Sequence, residues 1–233
     1  MHTMRSTVYK THTTTYYLTV TDSNVPTACI DLDTVVVTVL DTVEANITTP
    51  NTTICHPENG GTIQLNVVAE GGSGTGYFLY NWTPAAGLSA TNIANPIATP
   101  TSTTKYYVTV TDTAGNACAA IDSVTITVNT EIAVNITAAN DSICNAAPTK
   151  LSSTVNPAVA YTYEWSSVPV DPSLAPAVLL NSTNPEVTPT VTTTYQLIVT
   201  NNTTLCKDTA NYTLNVLAPI IVEAGAGTGA RVS

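Results

Sequence analysis

The chain has 233 residues, of which 43% are hydrophobic and only 9% are charged, and its net charge is −10 at pH 7. Because only 6 Lys and Arg residues stand against 16 Asp and Glu residues, a nucleic acid or an anionic membrane surface is not an expected partner. No apolar run reaches the roughly 18 residues of a membrane span, so direct membrane insertion is not expected, and the many Thr, Asn, Gly and Pro residues predict an all-β fold.

The first predicted element is a pair of strands, TTTYYLTVTD from Thr13 and CIDLDTVVVTV from Cys29. Apolar and polar residues alternate in both segments, which is typical of strands with one buried face. The pair recurs twice downstream, and its aligned tyrosines, Tyr16, Tyr106 and Tyr195, stand 90 and 89 residues apart. A repeat of this period indicates tandem modules.

The repeats set the expected module boundaries. Residues 1–43 are interpreted as the C-terminal half of a module, residues 44–130 and 131–218 as two complete modules, and residues 219–233 as the start of a following one. We refer to the two complete modules as the second and third modules. Their junctions carry no Gly/Ser-rich spacer, which predicts a semi-rigid rod.

Each complete module reads as an immunoglobulin-like β-sandwich. In the second module, Tyr106, Val108 and Val110 share one face of a strand, and Tyr106 is expected to pair near Val124 across the next hairpin. Short strands, a total of about 90 residues and one core tryptophan per module, here Trp82, are typical of that fold. Tyr106 also follows a Pro- and Thr-rich corner, where such folds often keep a hydrogen-bonded tyrosine.

Two glycine-rich segments have features of nucleotide-binding loops. Gly225, Gly227 and Ala230 have the spacing of a dinucleotide fingerprint, but neither a helix nor the later acidic residue follows them. We interpret them as part of the first strand of a following module. The segment Gly71–Gly76 lacks a following Lys-Ser/Thr and is interpreted as a loop between strands.

No catalytic or metal-binding constellation is predicted. His2, His12 and His56 are far apart in sequence and lack the spacing of zinc ligands or a nucleophile partner. Asp112 and its counterpart Asp22 are expected to cap hairpin turns rather than to bind calcium. The chain is therefore expected to have no enzymatic activity, no metal and no cofactor.

The repeated cysteines predict disulfide bonds. One possibility is pairing within modules, of Cys55 with Cys118 and of Cys144 with Cys206. Sandwich geometry places Cys55 and Cys118 at opposite ends of a module, on the order of 20 Å apart, whereas a disulfide needs Cα atoms within about 7 Å. We therefore favour a bond between Cys55 and Cys206 that joins successive modules, with Cys29, Cys118 and Cys144 paired outside this chain.

The segment YNWTPAAGLSATNIANPIATPTSTTKYYVTVTDTAGNAC, from Tyr80 to Cys118, closely resembles the Ig-like, PKD-like repeats of large surface proteins of Bacteroidota. The resemblance extends over both complete modules and the leading half-module. The third module departs from it through an apolar insertion at Ser173–Leu180 and through Asn201–Thr204, which replaces the Asp-led turn. Proteins with such repeats are exported by the type IX secretion system and include gliding adhesins of the SprB type.

The resemblance implies a structural and adhesive stalk or filament on the bacterial cell surface, with a role in gliding motility or attachment. The expected partners are neighbouring repeats of the same protein, other copies of it, or surface polysaccharide. Binding would use variable loops such as Val168–Asn181. The alternative is an array of carbohydrate-binding modules of a secreted hydrolase, which exposed and coplanar aromatic side chains would favour.

The resemblance also implies O-glycosylation, since proteins of this phylum can carry glycans at Asp-Ser/Thr followed by a small or apolar residue. Six positions match this pattern: Thr34, Thr42, Thr113, Ser123, Ser142 and Thr209. On a surface so poor in charge, glycan would supply the hydration that Lys and Glu provide elsewhere.

Overall fold

A computed structural model gives the structure of residues 11–22, 29–73, 77–113, 118–174 and 182–218. These residues form 17 β-strands and a 3-10 turn at Pro57–Asn59. The fold is all-β, as the sequence predicted, since alternating apolar and β-branched residues suit a half-buried pleated strand. No helix in this part of the chain is long and apolar enough to span a bilayer.

The chain divides into two compact units. Among the described residues, the first unit contains the residues up to Thr52 and the segment Ile63–Thr127. The second unit contains the segment Thr53–Thr62 and the residues from Val128 onwards. The predicted start of a following module at residues 219–233, with Gly225, Gly227 and Ala230, lies outside the described residues, as does His2.

The first unit contains three two-stranded sheets and one larger sheet. The strands are β1 Thr14–Asp22, β2 Cys29–Val37, β3 Glu44–Ile47, β4 Thr52–Ile54, β5 Ile63–Gln64, β6 Val67–Glu70, β7 Phe78–Thr83, β8 Ile97–Ala98, β9 Thr104–Asp112 and β10 Ala119–Val128, of which β4 and β10 end just past a unit boundary. The sheets are β1–β2, β3–β6, β5–β8 and the four-stranded β4–β10–β9–β7.

The core of the second module lies where the sequence placed it. Tyr106, Val108 and Val110 on β9 are fully buried, and so is Trp82 on β7. Tyr106 pairs in register with Val124 of β10, as expected. Each such side chain contributes about 1.5–3 kcal/mol when it leaves water, so this face of β9 is a main source of the unit's stability.

Strands β1 and β2 form what we call the leading hairpin, an antiparallel pair in register from Thr14 opposite Val37 to Asp22 opposite Cys29. Apolar side chains on both of its faces are exposed: Tyr17, Leu18, Val20, Ile30, Leu32, Val35 and Val36. Among the described residues no second sheet covers the hairpin, although its sequence is that of a sandwich component.

The second unit is a two-layered Ig-like sandwich. Its strands are β11 Ala133–Ala138, β12 Ser142–Cys144, β13 Thr149–Asn156, β14 Tyr161–Val168, β15 Glu186–Val187, β16 Thr193–Asn201 and β17 Lys207–Leu217. One sheet has the order β11–β13–β15 and the other β12–β17–β16–β14. Both sheets supply the buried core, which includes Leu151, Trp165, Val187, Leu197 and Leu214.

Candidate functional site

The second unit contains a disulfide between Cys55 and Cys206, whose Cα atoms are 5.6 Å apart. Cys55 precedes the 3-10 turn at Pro57–Asn59, and Cys206 precedes β17. This is the pairing that the sequence favoured. Cys29, Cys118 and Cys144 are free and exposed.

The alternative pairings within modules do not form. Cys144 lies opposite Leu217, at the last residue of β17, whereas Cys206 precedes the first residue of that 11-residue strand. At about 3.4 Å per residue, these two cysteines are on the order of 35 Å apart. Because Cys55 is bonded to Cys206, Cys118 is left without it and is free and exposed.

Hydrogen bonds hold the segment Thr53–Thr62 next to the cystine. The Asn59 amide donates from Nδ2 to the Ile132 carbonyl at 2.9 Å, and the Ile132 N–H donates back to Asn59 Oδ1 at 2.7 Å. The Asn129 N–H donates to the Ile54 carbonyl at 2.9 Å. Sequence reasoning missed Asn59, because its partners are backbone groups that no side-chain motif reveals.

Close packing restricts the same segment. A Cβ atom on Gly61 would lie 1.7 Å from the carbonyl oxygen of Cys55. Such a contact is far inside van der Waals distance, so only glycine fits the return of the chain past the cystine.

The corner tyrosine predicted at Tyr106 is present. Its hydroxyl donates to the Ala86 carbonyl at 2.9 Å, and burial raises the pKa of Tyr106 above its ordinary value. In the third module, the aligned Tyr195 instead donates to the Asp171 carboxylate. Burial, then this hydrogen bond and the carboxylate charge, raise the pKa of Tyr195 strongly.

Asp171 organises the start of the variable loop Val168–Asn181. Its carboxylate, buried, also accepts from the Ser173 N–H at 2.9 Å and from the Ser173 hydroxyl at 2.6 Å. Residues 175–181 of this loop, and with them most of the Ser173–Leu180 insertion, lie outside the described residues. Sequence reasoning placed the loop but gave Asp171 no role, because nothing in the second module corresponds to it.

A cavity of about 310 Å³ lies beside Asp171, lined among others by Pro172, Thr188 and Pro189. The corresponding position of the second module has a cavity of about 120 Å³, lined among others by Gly87 and Pro100. The groove next to the corner tyrosine therefore belongs to the repeat, and it is larger where the loop is longer.

Two aspartates bind the first strand of each module to its hairpin. Asp122 Oδ2 accepts from the Ile47 N–H of β3 at 2.7 Å, and Asp208 Oδ2 accepts from the Val134 N–H of β11 at 2.8 Å. A carboxylate that accepts a backbone N–H makes a strong, charge-assisted bond. We call these two bonds the first-strand tethers.

Asp112, expected to cap the hairpin turn that follows it, bonds instead to the loop between β6 and β7, and residues 114–117 of its own turn lie outside the described residues. Its buried carboxylate accepts from the Ser73 N–H and, at 3.1 Å, from the Ser73 hydroxyl. In the third module Asn201 takes the same position, and its Oδ1 accepts from the N–H groups of Thr203 and Thr204 at 2.8 and 3.0 Å. The side chain of Asp22 lies outside the description, as do residues 74–76 of the glycine-rich loop.

The described histidines are separate. His12 is exposed, and His56 caps the 3-10 turn by accepting from the Glu58 N–H. Among the described residues, no group of three His, Cys, Asp or Glu side chains is placed to hold a metal ion.

The candidate glycosylation positions lie on strands or within two residues of one. Five are exposed, namely Thr34, Thr42, Thr113, Ser142 and Thr209. Ser123 is half-buried, and its N–H donates to the Asp122 carboxylate at 2.7 Å.

The chain was also compared with known proteins. No family profile matches the sequence, and no curated protein matches it either. Among solved structures, protocadherin gamma B7 extracellular cadherin domains 1–4 match with 17% identity and a TM-score of 0.32, over 88% of this chain and 58% of that chain. Sidekick-1 immunoglobulin domains 1–4 match with 14% identity and a TM-score of 0.31, over 75% of this chain and 49% of that one.

A complex of Dpr2 Ig1–Ig2 with DIP-Theta Ig1–Ig3 matches with 11% identity and a TM-score of 0.32, over 88% and 73% of the two chains. The chain spans 58% and 49% of the length of the protocadherin and Sidekick-1 structures. These similarities are too low to assign a family or a function.

Proposed function

We propose that this chain is a structural and adhesive repeat region of a non-enzymatic extracellular protein, displayed as a stalk or filament on a bacterial cell surface. The disulfide between Cys55 and Cys206 carries the proposal, because stable disulfides belong to oxidising compartments outside the cytosol. The modules at 44–130 and 131–218 are its building units. The segment Tyr80–Cys118 further suggests a Bacteroidota protein of the type IX secretion system, with a role in gliding or attachment.

The buried carboxylates have structural roles that fit this proposal. Asp112 and Asp171 each cap a loop, and Asp171 also orders Tyr195. Partners in this reading are neighbouring repeats, other copies of the protein, or surface polysaccharide. The loop that begins at Val168 and the cavity beside Asp171 form the most variable surface among the modules.

A carbohydrate-binding array of a secreted hydrolase is the second candidate, and the exposed aromatics of the second module do not favour it. Tyr77 and Tyr107 are both exposed beside the β7–β9 pair. Tyr107 lies opposite Thr83. The Tyr77 carbonyl accepts a hydrogen bond from the N–H of Thr113, which is six residues after Tyr107. The two rings are therefore on the order of 20 Å apart, which is too far for one sugar-stacking platform.

Protease shaving of intact native cells, followed by mass spectrometry of the released peptides, tests the display of this region. We expect peptides of both modules in the shaved fraction, and their presence only after lysis would contradict the proposal. An in-frame deletion of residues 44–218 should leave export intact but reduce attachment or gliding. Unchanged attachment and gliding would remove the adhesive role.

A further inference from the structure

The leading hairpin has a face that is built to be covered. The hairpin aligns with β9–β10, so its inward positions correspond to core positions of the second module. Three of them are more than half exposed, namely Leu18 at 60%, Val20 at 56% and Val35 at 59%. Their counterparts are fully buried: Val108 at 0%, Val110 at 0% and Val124 at 2%.

The same face carries a hydrogen-bond acceptor. Asp33 aligns with Asp122. Asp33 is paired with Leu18 of β1, as Asp122 is paired with Val108 of β9. Asp122 uses Oδ1 for the N–H of the next residue, at 2.7 Å, and Oδ2 for the first-strand tether to Ile47. Asp33 repeats the first bond, from the Thr34 N–H to Oδ1 at 2.8 Å.

The second bond is missing at Asp33. Across the part of the chain that the structure describes, no group donates to its Oδ2. The hairpin therefore matches a complete module in its apolar face and in the bond between the aspartate and the next N–H. It differs because no first strand among the described residues packs on this face and donates to Asp33 Oδ2. These two observations are independent, since one concerns packing and the other a polar group.

We propose that the inward face of the leading hairpin docks the first half of an Ig-like module, a segment with the pattern of residues 44–103 that comes before the hairpin in the same polypeptide. Asp33 Oδ2 accepts the backbone N–H of that segment's first strand, as Asp122 accepts the N–H of Ile47. Leu18, Val20 and Val35 then pack against the covering sheet.

A second copy of the hairpin is a poorer occupant. Face-to-face packing of two hairpins would bury Asp33 with no backbone N–H directed at its Oδ2, since the Thr34 N–H bonds only Oδ1. Burying a carboxylate oxygen without a donor is strongly unfavourable. A first half-module supplies the donor together with the apolar cover.

The test is a chain in which a copy of residues 44–103 replaces residues 1–13, directly ahead of Thr14. Without the copy, the hairpin amides should exchange with deuterium at nearly unprotected rates, because a two-stranded hairpin alone is marginally stable. With the copy, exchange of the Leu18 and Val20 amides should slow at least about a hundredfold. Binding of an apolar dye to the chain should fall at the same time.

Asp33→Ala is the matched variant. In the fused chain it should speed exchange of the hairpin roughly tenfold, since it removes one charge-assisted bond, and in the unfused chain it should change nothing. A hairpin that remains unprotected in the fused chain overturns the proposal, whatever the state of the copied segment. So does a protected hairpin in the unfused chain, whether monomeric or dimeric by sedimentation.

Discussion

At the scale of single residues, the loops of this protein are fixed by polar side chains bonded to backbone groups. Asn59 is the clearest case, because both ends of its amide bond the same residue, Ile132. Similar bonds from Asp112, Asp171 and Asn201 order the other loops. In a chain with few charges, these bonds replace surface ion pairs as the source of local order.

Replacing Asn59 with alanine should therefore destabilise the second unit. The substitution leaves the N–H and carbonyl of Ile132 without their partner, and a partly buried unsatisfied group costs about 1–3 kcal/mol. Urea unfolding followed by tryptophan fluorescence measures the loss. Asn145→Ala, at an exposed position in the same unit, should leave the midpoint unchanged, and equal effects of both substitutions would contradict the role of Asn59.

Tyrosine ionisation should make the second unit sensitive to alkali. Burial, and then the hydrogen bond and charge of Asp141, raise the pKa of Tyr212 to about 12 from its ordinary value of 10.0. A raised folded-state pKa gives stability that is complete below pH 10 and is lost as pH rises towards 12. Tyr195 acts in the same direction.

The free energy of unfolding should thus fall between pH 10 and pH 12, as measured by urea titrations across that range. Tyr212→Phe should flatten the pH dependence, because it removes one group whose pKa changes on folding. Tyr17→Phe, at an exposed position, serves as the control. A slope that Tyr212→Phe does not alter would show that this tyrosine has no part in it.

At the scale of elements, the cystine connects the segment before the 3-10 turn to the start of β17. Cys206→Ser should lower the stability of the second unit by about 2–5 kcal/mol, since the bond closes a loop of 151 residues and so restricts the unfolded chain. Thermal unfolding with and without reductant measures it. Cys144→Ser, which alters a free and exposed thiol, should have no effect, and insensitivity to reductant would contradict the prediction.

Alternation along the strands was enough to predict the faces and the pairing of Tyr106 with Val124, because a period of two leaves one register that buries the apolar side. The first-strand tethers were not predictable in the same way. Asp122 aligns with Ala210, and Asp208 aligns with Ala120, so the two modules use neighbouring positions of one face for the same bond. An alignment of the repeats therefore hides a shared feature that only the contacts reveal.

The role of Asp171 was hidden for a different reason. Tyr106 bonds a backbone carbonyl, which any residue supplies, whereas Tyr195 bonds a side chain that belongs to the loop unique to the third module. No repeat pattern predicts a contact that occurs once. The cystine, by contrast, could be argued from the sequence, because strand length separates Cys55 from Cys118 and the succession of modules brings Cys55 towards Cys206.

At the scale of the whole molecule, the surface is notable for its low charge, and glycan at the Asp-Ser/Thr positions would compensate for it. Material from the native organism should then be heavier than the polypeptide, with glycopeptides at exposed positions such as Thr42 and Thr209 and none at half-buried Ser123. Glycopeptide mapping measures this, and native peptides that cover these exposed positions without added mass would exclude the modification.

The cystine also determines which residues feel a pull on the ends of the chain. Tension that enters at one end passes through the sulfur atoms from Cys55 to Cys206 and bypasses the residues between them, including all of Ile63–Thr127. Of 233 residues, the 151-residue separation leaves 82 that can extend, on the order of 280 Å, against roughly 800 Å after reduction. Single-molecule stretching with and without reductant should show this difference in contour length. Residues 63–127 of the second module would then be sheltered from tension inside a covalent loop, whereas its strands β3 and β4, which precede Cys55, would bear it.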